Sequence, residues 1–208
     1  MKRQVSHHAS GIIIASPEND IFLLSGYDEG YPREIFRGCP NIMGGNYEKG
    51  DRSPWHTLER ELKEEFSFGQ EVPNLASRDD RDYLVNEIMR HAEPFRDFLM
   101  TDPPLKKKEV YDFLYSIFQA KISDEAFTIA ERNLEQGKKL VSEGVAHVFT
   151  LQDLEQKHLA WCSPVAMMEY LDRKDLPNPL NVRGESLGSP RVSYADYASD
   201  FDYISAPQ

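Results

Sequence analysis

The sequence predicts an α/β domain, and three observations carry that reading. Short apolar runs at Gly11–Ala15 and Ile21–Leu24 flank a Pro/Asn/Asp cluster, residues Ser53 to Phe66 have helical periodicity, and Val110 to Ile122 is a long run of aromatic and branched residues. Strand-like and helix-like segments alternating along one chain favour a sheet with helices packed on it. A length of 208 residues is enough for one such domain with a real core, or a domain with appendages.

The two N-terminal runs read as a β-hairpin turning at Ser16-Pro17-Glu18-Asn19-Asp20. Residues from Gly26 to Pro40 read as loop, with a strand near Ile35–Phe36, before Ile42-Met43-Gly44-Gly45. Ser53 then suits a helix N-cap and Pro54 the first helical position, where a missing N–H costs nothing. Trp55, Leu58, Leu62 and Phe66 fall on one stripe that should face the core. A second helical pattern runs from about Asp80 to Met100 with Leu84, Ile88, Ala92, Phe95 and Leu99 on one side, and Pro94 predicts a kink in it or two shorter helices. Val110 to Ile122 follows as a buried strand. A helix from Ala126 to Leu140, a strand from Gly144 to Thr150, a helical turn over Leu151–Leu154 and a helix over Pro164–Leu171 complete the pattern. From Pro177 the chain is rich in Pro, Gly, Ser and Asp with Tyr194, Tyr197 and Tyr203, and shows no helical or strand periodicity, which fits either a disordered tail or one that wraps over the body or a partner subunit through those tyrosines.

Composition excludes several classes of function. A formal charge of −11 argues against broad nucleic-acid binding, and the one basic run, Lys106–Lys108, reads as a solvated loop. Apolar stretches fall short of the ~20 residues a membrane span needs. Cys39 and Cys162 stand alone, without metal-site spacing or a disulfide framework, which predicts a reduced, cytoplasmic protein.

The chemistry-bearing segment is Arg60-Glu61-Leu62-Lys63-Glu64-Glu65. Glu61, Glu64 and Glu65 stand at i, i+3 and i+4, so their carboxylates leave one side of the helix beside the apolar stripe. Glu61 and Glu65 form a like-charge pair, unfavourable by a few tenths of a kcal/mol until a cation joins them. Hard oxygen ligands in such a cluster suit Mg²⁺ or Mn²⁺. The spacing alone also fits a solvated helix in which Arg60–Glu64 and Glu59–Lys63 are ordinary ion pairs.

With its surroundings the segment resembles the Nudix box, whose pattern is a glycine, five residues, Glu, seven residues, then Arg-Glu-aliphatic-x-Glu-Glu-x-Gly-aliphatic. Gly45, Arg60, Glu61, Leu62, Glu64, Glu65 and Phe68 fall on matching positions, and Asp51 follows Gly45 after five residues. Eight residues separate Asp51 from Arg60, so either one residue is inserted or Arg52 takes the first Glu position; Ser67 stands where the box has Gly. The resemblance covers roughly residues 5 to 172, ending with Val148–Leu154 and Leu159-Ala160-Trp161. It implies an α/β/α sandwich with a mixed central sheet over residues 1–176, a helical insertion at 69–108 that could shape a substrate pocket or a homodimer contact, and a tyrosine-containing tail at 177–208. It also implies an Mg²⁺-dependent pyrophosphohydrolase (Mn²⁺ serving as well) acting on a nucleoside diphosphate linked to another moiety. Glu61, Glu65 and Glu64 would hold the metal with the backbone of Gly45; Arg60 would orient a carboxylate, and Glu61 or Glu64 would assist the attacking water. The altered spacing keeps a second reading open, a Nudix-like module that binds nucleotide without turnover.

Other residues weigh less. Glu143 precedes a strand where some Nudix members carry a further catalytic glutamate, although a turn residue explains it more simply. Glu155 and His158 make a lone ExxH, too little for a di-metal bundle, so His158 reads as loop. His7 and His8 read as exposed, and Trp55 and Trp161 as core aromatics. Tyr83 lies at an offset some dinucleoside polyphosphate hydrolases use, but packing on its helix accounts for it equally well.

Overall fold

A computed structural model describes residues 3–4, 7–27, 37–66, 78–101, 112–138, 147–159, 163–172, 181–182, 191–195 and 201–202. Strands β1 (Arg3–Gln4), β2 (His7–Ala15), β3 (Ile21–Gly26), β4 (Pro40–Asn41) and β5 (Met43–Asn46) precede helices α1 (Pro54–Glu65) and α2 (Arg78–His91). Then come β6 (Glu93–Thr101), β7 (Asp112–Lys121), α3 (Asp124–Lys138), β8 (His147–Thr150), α4 (Leu151–Gln156), β9 (His158–Leu159) and α5 (Ser163–Tyr170). Short strands β10 (Asn181–Val182), β11 (Arg191–Ala195) and β12 (Phe201–Asp202) close the chain.

Eight strands form a mixed sheet in the order β11-β6-β7-β2-β3-β4, with β5 added on β2 and β8 on β3. Strand β2 organises it. One edge runs parallel to β7 over its whole length, while the other is shared, Ala9–Ile12 pairing with β5 and Ile14–Ala15 with β3. Alternating side chains divide the core between two faces. Ile12, Ile14, Leu23, Phe118 and Ala120 meet Leu58, Leu62 and Phe66 of α1, Leu84 and Ile88 of α2, and Ala126 and Ala130 of α3. Ile13, Ala15, Phe22, Leu24, Ile117 and Phe98 face the other way, towards Leu154 of α4 and Ala166 and Met167 of α5. The result is the three-layered α/β arrangement expected.

Local chemistry explains the boundaries. In the β2–β3 turn the Ser16 hydroxyl donates to Asp20 at 2.6 Å, and Asn19 adopts φ 59°, a left-handed conformation asparagine tolerates. Ser53 caps α1 by accepting from the His56 N–H, and Pro54 opens the helix. Thr150 and Asp153 cap α4 reciprocally. Trp55 stacks obliquely on Phe118 with ring centroids 4.4 Å apart, as a core aromatic should.

Three expectations are corrected. The helical pattern from Asp80 to Met100 divides: α2 ends at His91 and Glu93–Thr101 is strand β6, paired with β7. Pro94 is tolerated there because β11 pairs only with residues 97–101 and a register irregularity falls between Pro94 and Arg96. The segment after Pro177 carries strands, β11 among them, at the edge of the main sheet. His7 and His8 are not exposed; β2 begins at His7, which is half-buried, and His8 is buried. Tyr83 is 39% exposed, at the surface of α2 and not in the core. Ile35, Phe36, Ser67, Phe68, Lys106–Lys108, Glu143, Trp161, Cys162, Tyr197 and Tyr203 lie outside the described residues. Among the described residues, no helix is long and apolar enough to cross a membrane.

Candidate metal and active site

Helix α1 lies across β5 and β2, and two glycines let it approach. Gly44 has φ +145°, and a Cβ there would stand 2.1 Å from the Ser10 carbonyl oxygen, so only glycine fits. A Cβ on Gly45 would stand 2.4 Å from the carboxyl atoms of Glu61. The Glu61 carboxylate therefore rests directly on the sheet backbone, in the space a side chain would fill.

Arg60 ties this carboxylate to the loop before the helix. Its Nη2 donates to the Asn46 carbonyl at 2.7 Å and to Asp51 Oδ2 at 3.2 Å, and its Nε reaches Asp51 Oδ1 at 3.4 Å. Its Nη1 lies 2.8 Å from Glu61 Oε1 and 3.2 Å from Glu64 Oε1. Asp51 is held from two more sides, by the Thr57 hydroxyl at 2.9 Å and the Glu48 N–H at 3.0 Å. Asp51 faces the arginine, and exposed Arg52 points its backbone N–H at His56 Nδ1.

The ionisation pattern follows from these contacts. Burial alone would raise the Asp51 pKa, but hydrogen bonds from the Glu48 amide, Arg60 and Thr57 outweigh it and hold the carboxyl below its ordinary value. For Arg60 burial works against the charge, and the surrounding carboxylates more than restore it. Glu61 is pushed up by burial, against the pull of Arg60. Glu65 is pushed up to about 7 by burial first, then by repulsion from Glu61 and Glu64. Two inner carboxylates thus disfavour their own charge. A cation beside them would reverse that.

The donor set fits a hard divalent ion in chemistry: carboxylates largely removed from water, a glycine backbone beside one of them, and like charges that Arg60 compensates only in part. As arranged, no group of three or more His, Cys, Asp or Glu side chains among the described residues is close enough to grip a metal. Of the expected residues, the structure brings Gly45, Arg60 and Glu61 together and sets Glu65 near them. Glu64 lies outward, 58% exposed, bound to Arg60. It helps line an open groove of about 510 Å³ with Asp51, His56, Glu59, Arg60, Lys63 and Arg81. The sequence reading missed the parts played by Thr57, Glu48 and Asn46. It also took buried His8 for exposed and passed over buried Ser10 and Ser116, single polar residues within strands.

Among solved structures the chain is similar to a mutT/nudix family protein from Listeria innocua, at 19% identity over 82% of this chain and 94% of that one, TM-score 0.49. It is also similar to the NUDIX domain of NrtR from Shewanella oneidensis, crystallised with ADP ribose, at 14% identity over 83% and 90%, TM-score 0.49. A MutT protein from Methanosarcina mazei Go1 matches at 14% identity over 85% and 98%, TM-score 0.39. No protein-family model and no curated protein matches the sequence. At such identities function has to be read from the chain's own residues.

Proposed function

We propose that this chain is a Nudix-type hydrolase that cleaves the diphosphate linkage of a nucleoside diphosphate joined to another moiety, in the presence of Mg²⁺ or Mn²⁺. The observation that carries the reading is the Glu61 carboxylate seated on Gly45 beside Glu65, whose carboxyl is raised to about 7. Buried like charges are costly to keep, and a bound cation is the simplest reason to keep them.

Glu61 and Glu65 would hold the ion, with Glu64 and the Gly45 backbone as further donors. When bound, the ion supplies charge at the phosphoryl oxygens and a more acidic water. Arg60 is a positioning residue: anchored to Asp51 and Asn46, it fixes Glu61 from one side and Glu64 from the other. Glu64, the most exposed of the three, can accept a proton from the attacking water. An acidic protein accepts an anionic substrate here because the positive charge is local.

One observation favours the second reading, a module that binds nucleotide without turnover. The 2.8 Å contact from Arg60 already partly neutralises Glu61, and the glutamates are not drawn into a ligand cluster. A single experiment separates the two. With Mg²⁺, a panel of nucleotide sugars, ADP-ribose, dinucleoside polyphosphates and nucleoside triphosphates should give a cleaved product from at least one compound, and Glu65→Gln should abolish it. A rise in melting temperature with nucleotide and no product with any compound would instead establish the binding module.

A further inference from the structure

On the face of the sheet that carries α1, the core changes character between two adjacent rows. One row is apolar: Met43 of β5, Ile12 of β2 and Phe118 of β7, paired in register. The next row is Gly45, Ser10, Ser116 and Asp97, paired in register across β5, β2, β7 and β6. Strand alternation puts Ser10 on the face of Ile12 and Ser116 on the face of Phe118. Asp97 joins them because its neighbour Phe98 packs with Tyr115 on the opposite face. One row further on, His8 follows Ser10 on the same face.

These groups are enclosed. Ser10 is 2% exposed, Ser116 5% and His8 8%, and Asp97 is half-buried. Polar side chains are seldom kept at such depth unless something answers their hydrogen-bonding capacity. The row starts beneath the Glu61 carboxylate and crosses three strand spacings to Asp97, about 14 Å. That is long enough for the part of a nucleotide derivative next to its diphosphate.

We propose that Ser10, Ser116 and Asp97, with His8 beside them, form the floor of a substrate pocket that takes the uncharged, hydroxyl-bearing sugar portion of the substrate. The inference rests on the hydrolase reading for where the diphosphate lies. Its chemistry is independent of it. Two hydroxyls can each donate and accept, and a carboxylate accepts from sugar hydroxyls while repelling phosphate. The phosphates are thus confined to the Glu61 end, where a cation can neutralise them. Burial and the neighbouring His7 lower the His8 pKa to about 4, so its imidazole is neutral at pH 7 and adds no charge to the floor.

The test compares Ser10→Ala, Ser116→Ala, Asp97→Asn and the double serine variant with wild type. The readouts are KM and kcat for the best compound of the panel, Mn²⁺ affinity by electron paramagnetic resonance, and nucleotide-induced change in Tm in EDTA. The floor predicts KM raised about tenfold in each single variant, more in the double, with kcat within about threefold and Mn²⁺ affinity unchanged. Ser10→Thr, which keeps the hydroxyl, should recover part of the loss. Unchanged KM in every variant would overturn the proposal, as would parallel losses of Tm, kcat and Mn²⁺ affinity, which would mark the row as plain scaffold. If wild type cleaves nothing, the EDTA measurement decides. A nucleotide-induced Tm rise lost in the double variant upholds the floor and rejects the hydrolase; no rise with any compound rejects the floor.

Discussion

Helix α1 holds glutamates in two settings. On its outer side Glu59 is 44% exposed and paired with Lys63, itself 52% exposed. On its inner side Glu61 is 14% exposed and crowded by Arg60, and Glu65 is pushed up to about 7 by burial and like charge. The outer pair is what a soluble helix does with charge, contributing at most about 1 kcal/mol. The inner set works against folding in the absence of a cation, since charge taken out of water is costly unless it is compensated. On the proposed function, the inner side is the working one. Neutralising one setting at a time breaks the comparison.

Neutralising Glu65 should have the largest effect. Glu65→Gln should lower turnover of any substrate found by at least about a hundredfold. Without metal the same change should stabilise the protein at alkaline pH. The sign follows from a folded-state pKa of about 7 against 4.5 unfolded. Stability is greatest below pH 4.5 and falls as pH rises through 7, by up to about 3 kcal/mol. Melting curves in EDTA from pH 5 to 8 should therefore slope down for wild type and run flatter for the variant. Added Mg²⁺ should lift the wild-type curve most at the alkaline end. Parallel wild-type and variant curves would place Glu65 with Glu59 and end the distinction.

The glycines offer a second contrast. A methyl on Gly45 collides with the end of a flexible side chain, so Gly45→Ala should cost little stability while displacing Glu61 by roughly 1 Å, with a 10- to 100-fold loss of activity. A methyl on Gly44 collides with the Ser10 backbone at positive φ, so Gly44→Ala should destabilise by about 2–4 kcal/mol. Urea unfolding read beside activity would separate the two.

Asp51 should matter less than either, because it acts through Arg60. Asp51→Asn leaves the guanidinium to Asn46, Glu61 and Glu64, and its stronger hold on Glu61 should weaken Mn²⁺ binding about tenfold. Thr57→Val should do the same more weakly, with about 1 kcal/mol of stability lost with the hydrogen bond. Calorimetric titration with Mn²⁺ measures both. An unchanged affinity in Asp51→Asn would show that Arg60 holds its place without this anchor.

Helix α1 was legible in the sequence because its signals are local: a serine cap, a proline at the first position, an apolar stripe and glutamates three and four apart. Asp51 was half legible, since spacing left Arg52 as a rival and only the loop's fold brings the Asp51 carboxylate to Arg60 and Thr57. Strand β6 was not. Ala92, Phe95 and Leu99 happen to continue the helical period of Leu84 and Ile88, and what makes the segment a strand is its pairing with distant β7. With β6 misread there was no edge for β11 to join. His8, Ser10 and Ser116 were invisible for a related reason. A lone polar residue in a strand usually marks the solvent face, and only the register of several strands gathers these in one buried region.

The smallest predicted effect belongs to the outer side of α1. Lys63→Ala removes the partner of Glu59 and one cation from the open groove, but both side chains are solvated, so stability should change by no more than about 0.5 kcal/mol and less at high salt. Turnover should be that of wild type, because among the described residues the ion pair of Lys63 is with Glu59, not with Glu61 or the Asp51–Arg60 network. A null result here is informative beside a large one at Glu65, two residues away. It would show that position on the helix, not the number of glutamates, decides which carboxylates act. A several-fold change in KM for Lys63→Ala would instead put the substrate in the outer groove with Arg81, and the inner face would lose its claim to the chemistry.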